Sequence, residues 1–208
     1  MASLFSAYAL FGVSPGHELL SALQQPMQRL AAKFTPQAAS NMLYNHAVLN
    51  LLPQESCLQA LVDVIMQHIG QLPALVVVRL LWSFARLRVL LPGCSLLADL
   101  AQEASRVAEE LVAFHAALVL WSFAMLEYRP PQVCIAAMSQ RIDTCDGECL
   151  SVALLANAIW GLGPGSDMAA AAASLPADAP ISSESLAQLF TAWLAEAFEL
   201  RPGLLQRA

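Results

Sequence analysis

Charged side chains are scarce in this sequence, and lysine is almost absent. Only 12% of the 208 residues are charged, and Lys33 is the single lysine beside nine arginines. The net charge of −6 argues against a generic polyanion binder, because such a surface has to be basic to neutralise phosphates. The hydrophobic content of 58% indicates helices or strands whose faces are covered by one another or by a partner.

The sequence also lacks a disulfide framework and a long apolar run. Its five cysteines are odd in number and irregularly spaced, which favours a reducing compartment. The uncharged window 149–166 contains helix-breaking glycine and proline, and the window 111–125 is too short to span a bilayer. No basic residue precedes Arg29, so we expect any organellar targeting segment to be missing from this sequence.

What the sequence does contain is a repeated aromatic motif. The pentapeptide Leu-Trp-Ser-Phe-Ala occurs twice, and related apolar segments with one aromatic residue occur at the same interval. Successive aromatic residues are 38 or 39 residues apart, at Phe5, Tyr44, Trp82, Trp121 and Trp160. Self-similarity with a period of this length is typical of helical repeat arrays.

Each aromatic motif is followed by a proline-containing break and a second apolar segment, so each period predicts a pair of helices. We therefore predict an all-α fold, an α-solenoid of stacked helical hairpins that occupies residues 1–208 as a single array. The run Leu75-Val76-Val77-Val78 favours a strand locally, but the repeat predicts a helix there. The predicted aromatic-bearing helices lie near 3–13, 36–50, 73–90, 107–127, 148–160 and 183–199.

The repeated aromatic residue is predicted to fill the layer between neighbouring hairpins, because each layer needs one large side chain. In the helix over 107–127, apolar residues step by three and four and predict the buried face: Leu111, Phe114, Leu118, Trp121 and Met125. The last repeat, 161–200, is degenerate, as a capping repeat would be. The predicted core residues are Tyr44, Trp82, Trp121, Trp160 and Phe190.

Several of these segments resemble a known family. Phe-Thr-Pro-Gln at 34–37, Ala-Ser-Asn-Met-Leu-Tyr at 39–44, the Leu-Trp-Ser-Phe-Ala-x-Leu motifs and Arg-Pro-Pro at 129–131 are similar to octotricopeptide repeats and to the arrays upstream of RAP domains. The resemblance covers about residues 3–200. It implies an α-solenoid in mitochondria or chloroplasts, where family members bind transcripts or ribosomal RNA and some belong to organellar ribosomes.

The resemblance makes arginine side chains the candidate RNA contacts. Aligned repeats would place them along one edge, where they would meet phosphates. The alternative is that they are solvated helix ends that interact with helix dipoles. The candidates are Arg79, Arg86, Arg88, Arg106, Arg129 and Arg141. The array begins with an aromatic-bearing helix, so we expect an open apolar surface for a protein partner at Phe5, Tyr8, Leu10 and Phe11.

No arrangement of residues predicts catalysis, a metal or a cofactor. Cys145 and Cys149, with Cys134 and His115 elsewhere, lack the second ligand pair of a zinc site in sequence. The glycines of 161–165 follow a helix and open no βαβ unit, so they are not a dinucleotide fingerprint. We predict a non-enzymatic scaffold of an organellar ribonucleoprotein, with a mitochondrial ribosome favoured and the chloroplast as the alternative compartment. The alternative function is a protein–protein adaptor without RNA contact.

Overall fold

The computed structural model describes residues 2–11, 13–16, 33–89, 95–142 and 147–160, together with positions 19, 22, 26, 29 and 30. This part of the chain is all-α and holds no strand, which confirms the predicted class. It includes one 3-10 helix, Ala108–Glu110. The α-helices are α1 (Ala2–Phe11), α2 (Pro36–Val48), α3 (Glu55–Met66), α4 (Ala74–Leu87), α5 (Leu96–Arg106), α6 (Ala113–Met125), α7 (Gln132–Ser139) and α8 (Gly147–Ile159).

The chain divides into two compact units, Met1–Glu103 and Ala104–Ala208. The single array over residues 1–208 stays a prediction. In the first unit, α2 packs against α1, α3 and α4. In the second unit, α6 packs against α7 and α8. The predicted helix over 183–199, its Phe190 and the degenerate repeat over 161–200 lie outside the described residues.

Local sequence signals set where the helices begin. The hydroxyl of Thr35 accepts a hydrogen bond from the backbone N–H of Ala38 at 3.2 Å, and Pro36 is the first residue of α2. Pro73 precedes α4, which includes the valine run that favours a strand locally. Val76 and Val77 are buried there, so packing outweighs their intrinsic strand preference.

Helices α2, α4 and α6 end in the same way. A residue just after each helix is left-handed, with φ of 52°, 52° and 55° at Asn50, Arg88 and Glu127. The next backbone N–H then bonds the carbonyl five residues earlier, at 2.9, 3.3 and 3.0 Å: Leu51 to His46, Val89 to Phe84, and Tyr128 to Phe123. This Schellman ending satisfies carbonyls that the helix itself leaves without a partner. The three left-handed residues are 38 and 39 positions apart.

The predicted continuous helix over 107–127 is wrong at its N-terminal end. Residues Ala108–Glu110 form a 3-10 helix, Leu111 is extended with φ −85° and ψ 138°, and α6 begins only at Ala113. The Nε–H of Arg141 donates to the carbonyl of Leu111 at 3.1 Å. A tertiary hydrogen bond to a backbone carbonyl thus holds the extended segment, which sequence periodicity cannot predict.

The buried face of α6 also differs from the predicted one. Phe114 is 55% exposed, and Trp121 and Met125 are half-buried. Phe123 has no exposed surface and packs against Tyr128 with ring centroids 5.6 Å apart. Leu111, which precedes α6, is buried as predicted. The other four predicted residues lie on the outer face of α6, and the core lies on the opposite side.

The repeated aromatic is likewise not the main filler of the core. Tyr44 is 39% exposed, and Trp82, Trp121 and Trp160 are half-buried. The fully buried rings are Phe84 and Phe123, two positions after the tryptophans. Phenylalanine has no polar atom that needs a partner, so Phe84 and Phe123 can fill the interior without a hydrogen bond.

Glu103 is a buried acid that holds a turn in place. Its Oε2 accepts from the backbone N–H of Leu72 at 3.1 Å. We expect Glu103→Ala to lower the free energy of unfolding by about 1–3 kcal/mol, because the buried Leu72 N–H loses this charge-assisted acceptor. Urea denaturation followed by circular dichroism measures the change. The exposed Glu110 supplies the control, and an equal loss in Glu110→Ala would contradict the assignment.

Candidate functional site

The outer faces of α2 and α4 lie side by side in the first unit. Each carries four incompletely buried residues at helical spacing of four, three and four. On α2 they are Gln37, Asn41, Tyr44 and Val48, and on α4 they are Leu75, Arg79, Trp82 and Arg86. Because the two helices pack against each other, these residues form one surface that combines aromatic, amide and guanidinium groups.

An aromatic pair with a cation lies at the middle of this surface. The rings of Tyr44 and Trp82 have centroids 5.1 Å apart and are tilted by 39°. The Cζ atom of Arg79 lies 5.5 Å from the centroid of the Tyr44 ring, within cation–π range. Tyr44 keeps 39% of its surface exposed, so this aromatic pair lies at the protein surface.

Two amides adjoin the aromatic pair, and the chemistry of Arg79 fixes their orientation. The Arg79 guanidinium donates from Nη1 to Oδ1 of Asn41, and Gln37 donates from Nε2 to the same oxygen at 3.1 Å. Arginine has only donors, so the Asn41 atom that faces it must be the oxygen. The Nδ2 group of Asn41 therefore points its two hydrogens away from Arg79. We call Gln37, Asn41, Tyr44, Arg79 and Trp82 the Tyr44 cluster.

Buried neighbours on both helices hold the Tyr44 cluster. Leu43 and Leu81, the residues before Tyr44 and Trp82, have no exposed surface. Asn45 donates from Nδ2 to the hydroxyl of Ser6 on α1 at 2.9 Å, and the Ser83 hydroxyl donates to the Arg79 carbonyl at 2.6 Å. Side chains on packed helices lose little further freedom when they bind, which suits recognition of a flat ligand.

The six predicted RNA-contacting arginines occupy different environments. Arg79 is half-buried within the Tyr44 cluster, and Arg86 is exposed on the same face of α4, two turns later. Arg88 is exposed at the left-handed end of α4. In the second unit, Arg106, Arg129 and Arg141 are exposed. The structure thus brings Arg79 and Arg86 together with exposed aromatic surface.

The predicted partner surface on α1 is only partly described. Leu10 and Phe11 are 82% and 77% exposed, and Tyr8 is half-buried. The side chain of Phe5 lies outside the described residues. The last turn of α1 therefore ends in two large apolar side chains that no described residue covers.

The residues weighed as zinc ligands are only partly described by the structure. Cys134 is buried, and burial raises the pKa of its thiol. His115 is half-buried beside Phe114, with ring centroids 5.9 Å apart. Cys145 and the side chain of Cys149 lie outside the described residues. Across the described ranges, no group of three or more His, Cys, Asp or Glu could hold a metal ion.

The burial of His46 predicts that the stability of the first unit depends on pH. Burial lowers the pKa of His46 below its usual 6.5, and the hydrogen bond to the Leu51 carbonyl at 3.0 Å opposes this only in part. A carbonyl only accepts, so Nδ1 carries the proton of the neutral ring. As pH falls, the His46 imidazole takes up a proton in the unfolded chain before it does so in the folded protein. The contribution of His46 to the free energy of unfolding is therefore complete above pH 6.5 and declines below it.

Urea midpoints at about pH 7.5 and about pH 5.5 test this prediction. His46→Phe, which places here the residue found at the same offset from Trp82 and Trp121, should reduce the difference between the two midpoints. An unchanged pH dependence in His46→Phe would assign the effect to other groups.

Sequence reasoning missed Gln37 and Asn41 as site residues. Their spacing could have identified them. Gln37 lies seven residues before Tyr44 and Asn41 lies three before it, so both share the helical face of Tyr44. Asn41 and Arg79 are also 38 residues apart, the interval that separates Tyr44 from Trp82.

No protein-family model matches this chain, and no curated protein gives a significant match. The similarity to octotricopeptide repeats therefore depends on the short segments quoted above. Within the residues that the structure describes, no helix has the length and apolar character needed to cross a bilayer.

Proposed function

We propose that this protein is a non-enzymatic helical-repeat scaffold that binds single-stranded RNA at the Tyr44 cluster. The observation that carries the proposal is the stack of Arg79 on the exposed Tyr44 ring, next to Trp82 and two amides. Aromatic rings bind bases by stacking, guanidinium groups bind phosphates or stack on bases, and amides read base edges.

The proposed architecture is an α-solenoid with a period of 38–39 residues. Three kinds of contact support this period. The Tyr44 ring packs against the Trp82 ring, Asn41 accepts a hydrogen bond from Arg79, and Asn45 donates one to Ser6. The partners in each pair are 38 or 39 positions apart. The shared Schellman endings recur at the same interval. Corresponding residues of neighbouring repeats come into contact in this way when helical hairpins stack in register.

The net charge of −6 shapes the kind of RNA binding that we propose. A protein with this charge gains little from diffuse attraction to the RNA backbone, so affinity has to come from a local site. Base stacking on Tyr44 and Trp82 supplies such a local contribution, because it does not depend on net charge. Arg79 and Arg86 add positive charge on the same face.

The assembly that we propose is an organellar ribonucleoprotein, with a mitochondrial ribosome favoured and the chloroplast as the alternative compartment. The family resemblance supports the compartment. The exposed Leu10 and Phe11 support a protein contact elsewhere on the first unit. The same two residues, together with the negative charge, favour the second candidate function, a protein adaptor that touches no RNA.

Fluorescence anisotropy with labelled single-stranded RNA tests the proposal directly. We expect saturable binding whose affinity falls only weakly with salt, because few phosphates are neutralised. Loss of all RNA binding at moderate salt would mean that the interaction is diffuse and electrostatic. That result would contradict a local binding site at the Tyr44 cluster.

Sedimentation of the native protein from organelle lysate, with and without ribonuclease, separates scaffold from adaptor. Release from a large particle by ribonuclease supports the ribonucleoprotein. A particle that ribonuclease leaves intact supports the adaptor, and a protein that sediments alone contradicts both functions.

A further inference from the structure

The outer face of α6 in the second unit is apolar along its whole length. Phe114 is 55% exposed, and Leu118, Trp121 and Met125 are half-buried. These residues step by four, three and four along the helix, so they form one continuous row, which we call the α6 stripe. Val112, the residue just before α6, is 58% exposed and adds apolar surface there.

The corresponding positions of α4 have a different chemistry. Each residue of the α6 stripe lies 39 positions after a residue on the outer face of α4. The pairs are Leu75 with Phe114, Arg79 with Leu118, Trp82 with Trp121, and Arg86 with Met125. Both guanidinium groups of the α4 face are thus replaced by apolar side chains in α6. The α6 stripe therefore has no group that pairs with a phosphate, and it suits an apolar protein surface better than RNA.

The two units also differ in charge. Residues 1–103 contain five acidic and five basic side chains, whereas residues 104–208 contain eleven acidic and five basic ones. The whole net charge of −6 therefore belongs to the second unit. A unit with this excess of acids attracts a positively charged partner and repels a negatively charged one.

Charged residues of both signs lie close to the α6 stripe. Glu109 and Glu110 are exposed before it, and Glu127 is exposed after it. The exposed Arg129 is two residues beyond Glu127, and Arg141 donates to a backbone carbonyl just before α6. These nearby charges offset one another in part, so the acidic excess of the whole unit decides which partner is favoured.

We infer that the α6 stripe binds a basic amphipathic helix of a partner protein. From Phe114 to Met125 the stripe rises about 16 Å, or roughly three turns, which matches the apolar face of a partner helix of about 12 residues. Aromatic, leucine and methionine side chains are typical of surfaces that receive such a helix. Lysine and arginine on the polar face of the partner meet the acidic excess of the second unit. A second copy of this chain fits less well, because like charges repel.

Anisotropy titrations of the full chain with labelled designed peptides provide the test. The probe is a helical peptide of about 14 residues with leucine on one face and lysine on the other. One comparison peptide has glutamate in place of every lysine, and a second has the composition of the probe in an order that leaves no apolar face. We expect the probe to bind at least about fivefold more tightly than either comparison peptide.

Each comparison peptide can overturn the inference. Equal binding of the glutamate peptide would show that the partner need not be basic. Equal binding of the reordered peptide would show diffuse attraction to an acidic protein, without a docking face. Absence of binding by the probe also overturns the inference. It leaves the proposed RNA binding standing, because the Tyr44 cluster is a separate surface of the first unit.

Phe114→Gln should weaken binding of the lysine peptide by about 5- to 30-fold, because it removes the most exposed ring of the α6 stripe. Leu75→Gln is the matched control, since Leu75 is 53% exposed at the corresponding position of α4. Its affinity for the peptide should equal that of wild type. Equal weakening in the two variants, or none in Phe114→Gln, would contradict the assignment to α6.

Two further measurements on Phe114→Gln test the other possible occupants of the α6 stripe. A dimer of the wild type in sedimentation velocity that becomes a monomer in Phe114→Gln would assign the stripe to a second copy of the chain. Weaker binding of single-stranded RNA by this variant would assign the stripe to RNA. Either result overturns the inference, and we expect neither.

Discussion

Phe123→Ala should lower the free energy of unfolding by about 3–5 kcal/mol. The ring has no exposed surface and packs against Tyr128, so its removal leaves a cavity that α6 and its neighbours cannot easily fill. Trp121→Ala should cost less, about 1–2 kcal/mol, although tryptophan is the larger side chain, because only the buried part of the indole contributes. The sequence alone assigns the greater loss to Trp121.

Urea denaturation of both variants, followed by circular dichroism, decides between the two assignments. Phe84→Ala and Trp82→Ala repeat the comparison in the first unit, where Phe84 is buried and Trp82 is half-buried. A larger loss of unfolding free energy in the tryptophan variants of both units would contradict this assignment. It would mean that the repeated aromatic residue is the main core residue, as the sequence predicts.

Tyr44→Leu should weaken single-stranded RNA binding by roughly 5- to 100-fold, the loss that one stacked base represents. Leucine keeps apolar contact with Trp82 but removes the ring on which Arg79 and a base would stack. Folding should be little affected, because Tyr44 is already 39% exposed.

Phe114→Leu is the matched control for Tyr44→Leu. Phe114 is an aromatic residue with 55% exposure on the outer face of α6. Its neighbours on that face are Leu118, Trp121 and Met125, none of which carries an amide or guanidinium group. Its replacement should leave the Kd for RNA unchanged. Equal weakening in the two variants would mean that RNA contacts exposed aromatics in general, and the Tyr44 cluster would lose its assignment.

The sequence predicts helix positions well where a residue has a local effect on the backbone. Thr35 and Pro36 predict the start of α2, and α4 lies within the predicted 73–90. The all-α class follows from proline breaks and helical periodicity, even across the valines of α4. The extended segment at Leu111 was not predictable, because it depends on Arg141, which is 30 residues away in sequence.

The sequence could not assign the buried face of the helices. In α6, 11 of 13 residues are apolar or alanine, so periodicity alone does not distinguish the core side from the outer side. The predicted repeat places the tryptophans at corresponding positions, and Trp82, Trp121 and Trp160 are all half-buried rather than buried. Packing of neighbouring helices selected Phe123 for the interior.

By itself, the sequence determined the helical class and most helix boundaries in the described residues. It also determined the interval of 38–39 residues that separates the aromatic residues of successive motifs, Tyr44 and Trp82 among them. Only the tertiary structure decided that Tyr44, Arg79 and Asn41 meet on one outer face, and that the oxygen of Asn41 faces Arg79. The physical reason is the range of the forces. Caps and turns act within a few residues, whereas a stack or a hydrogen bond between two helices exists only after their faces have packed.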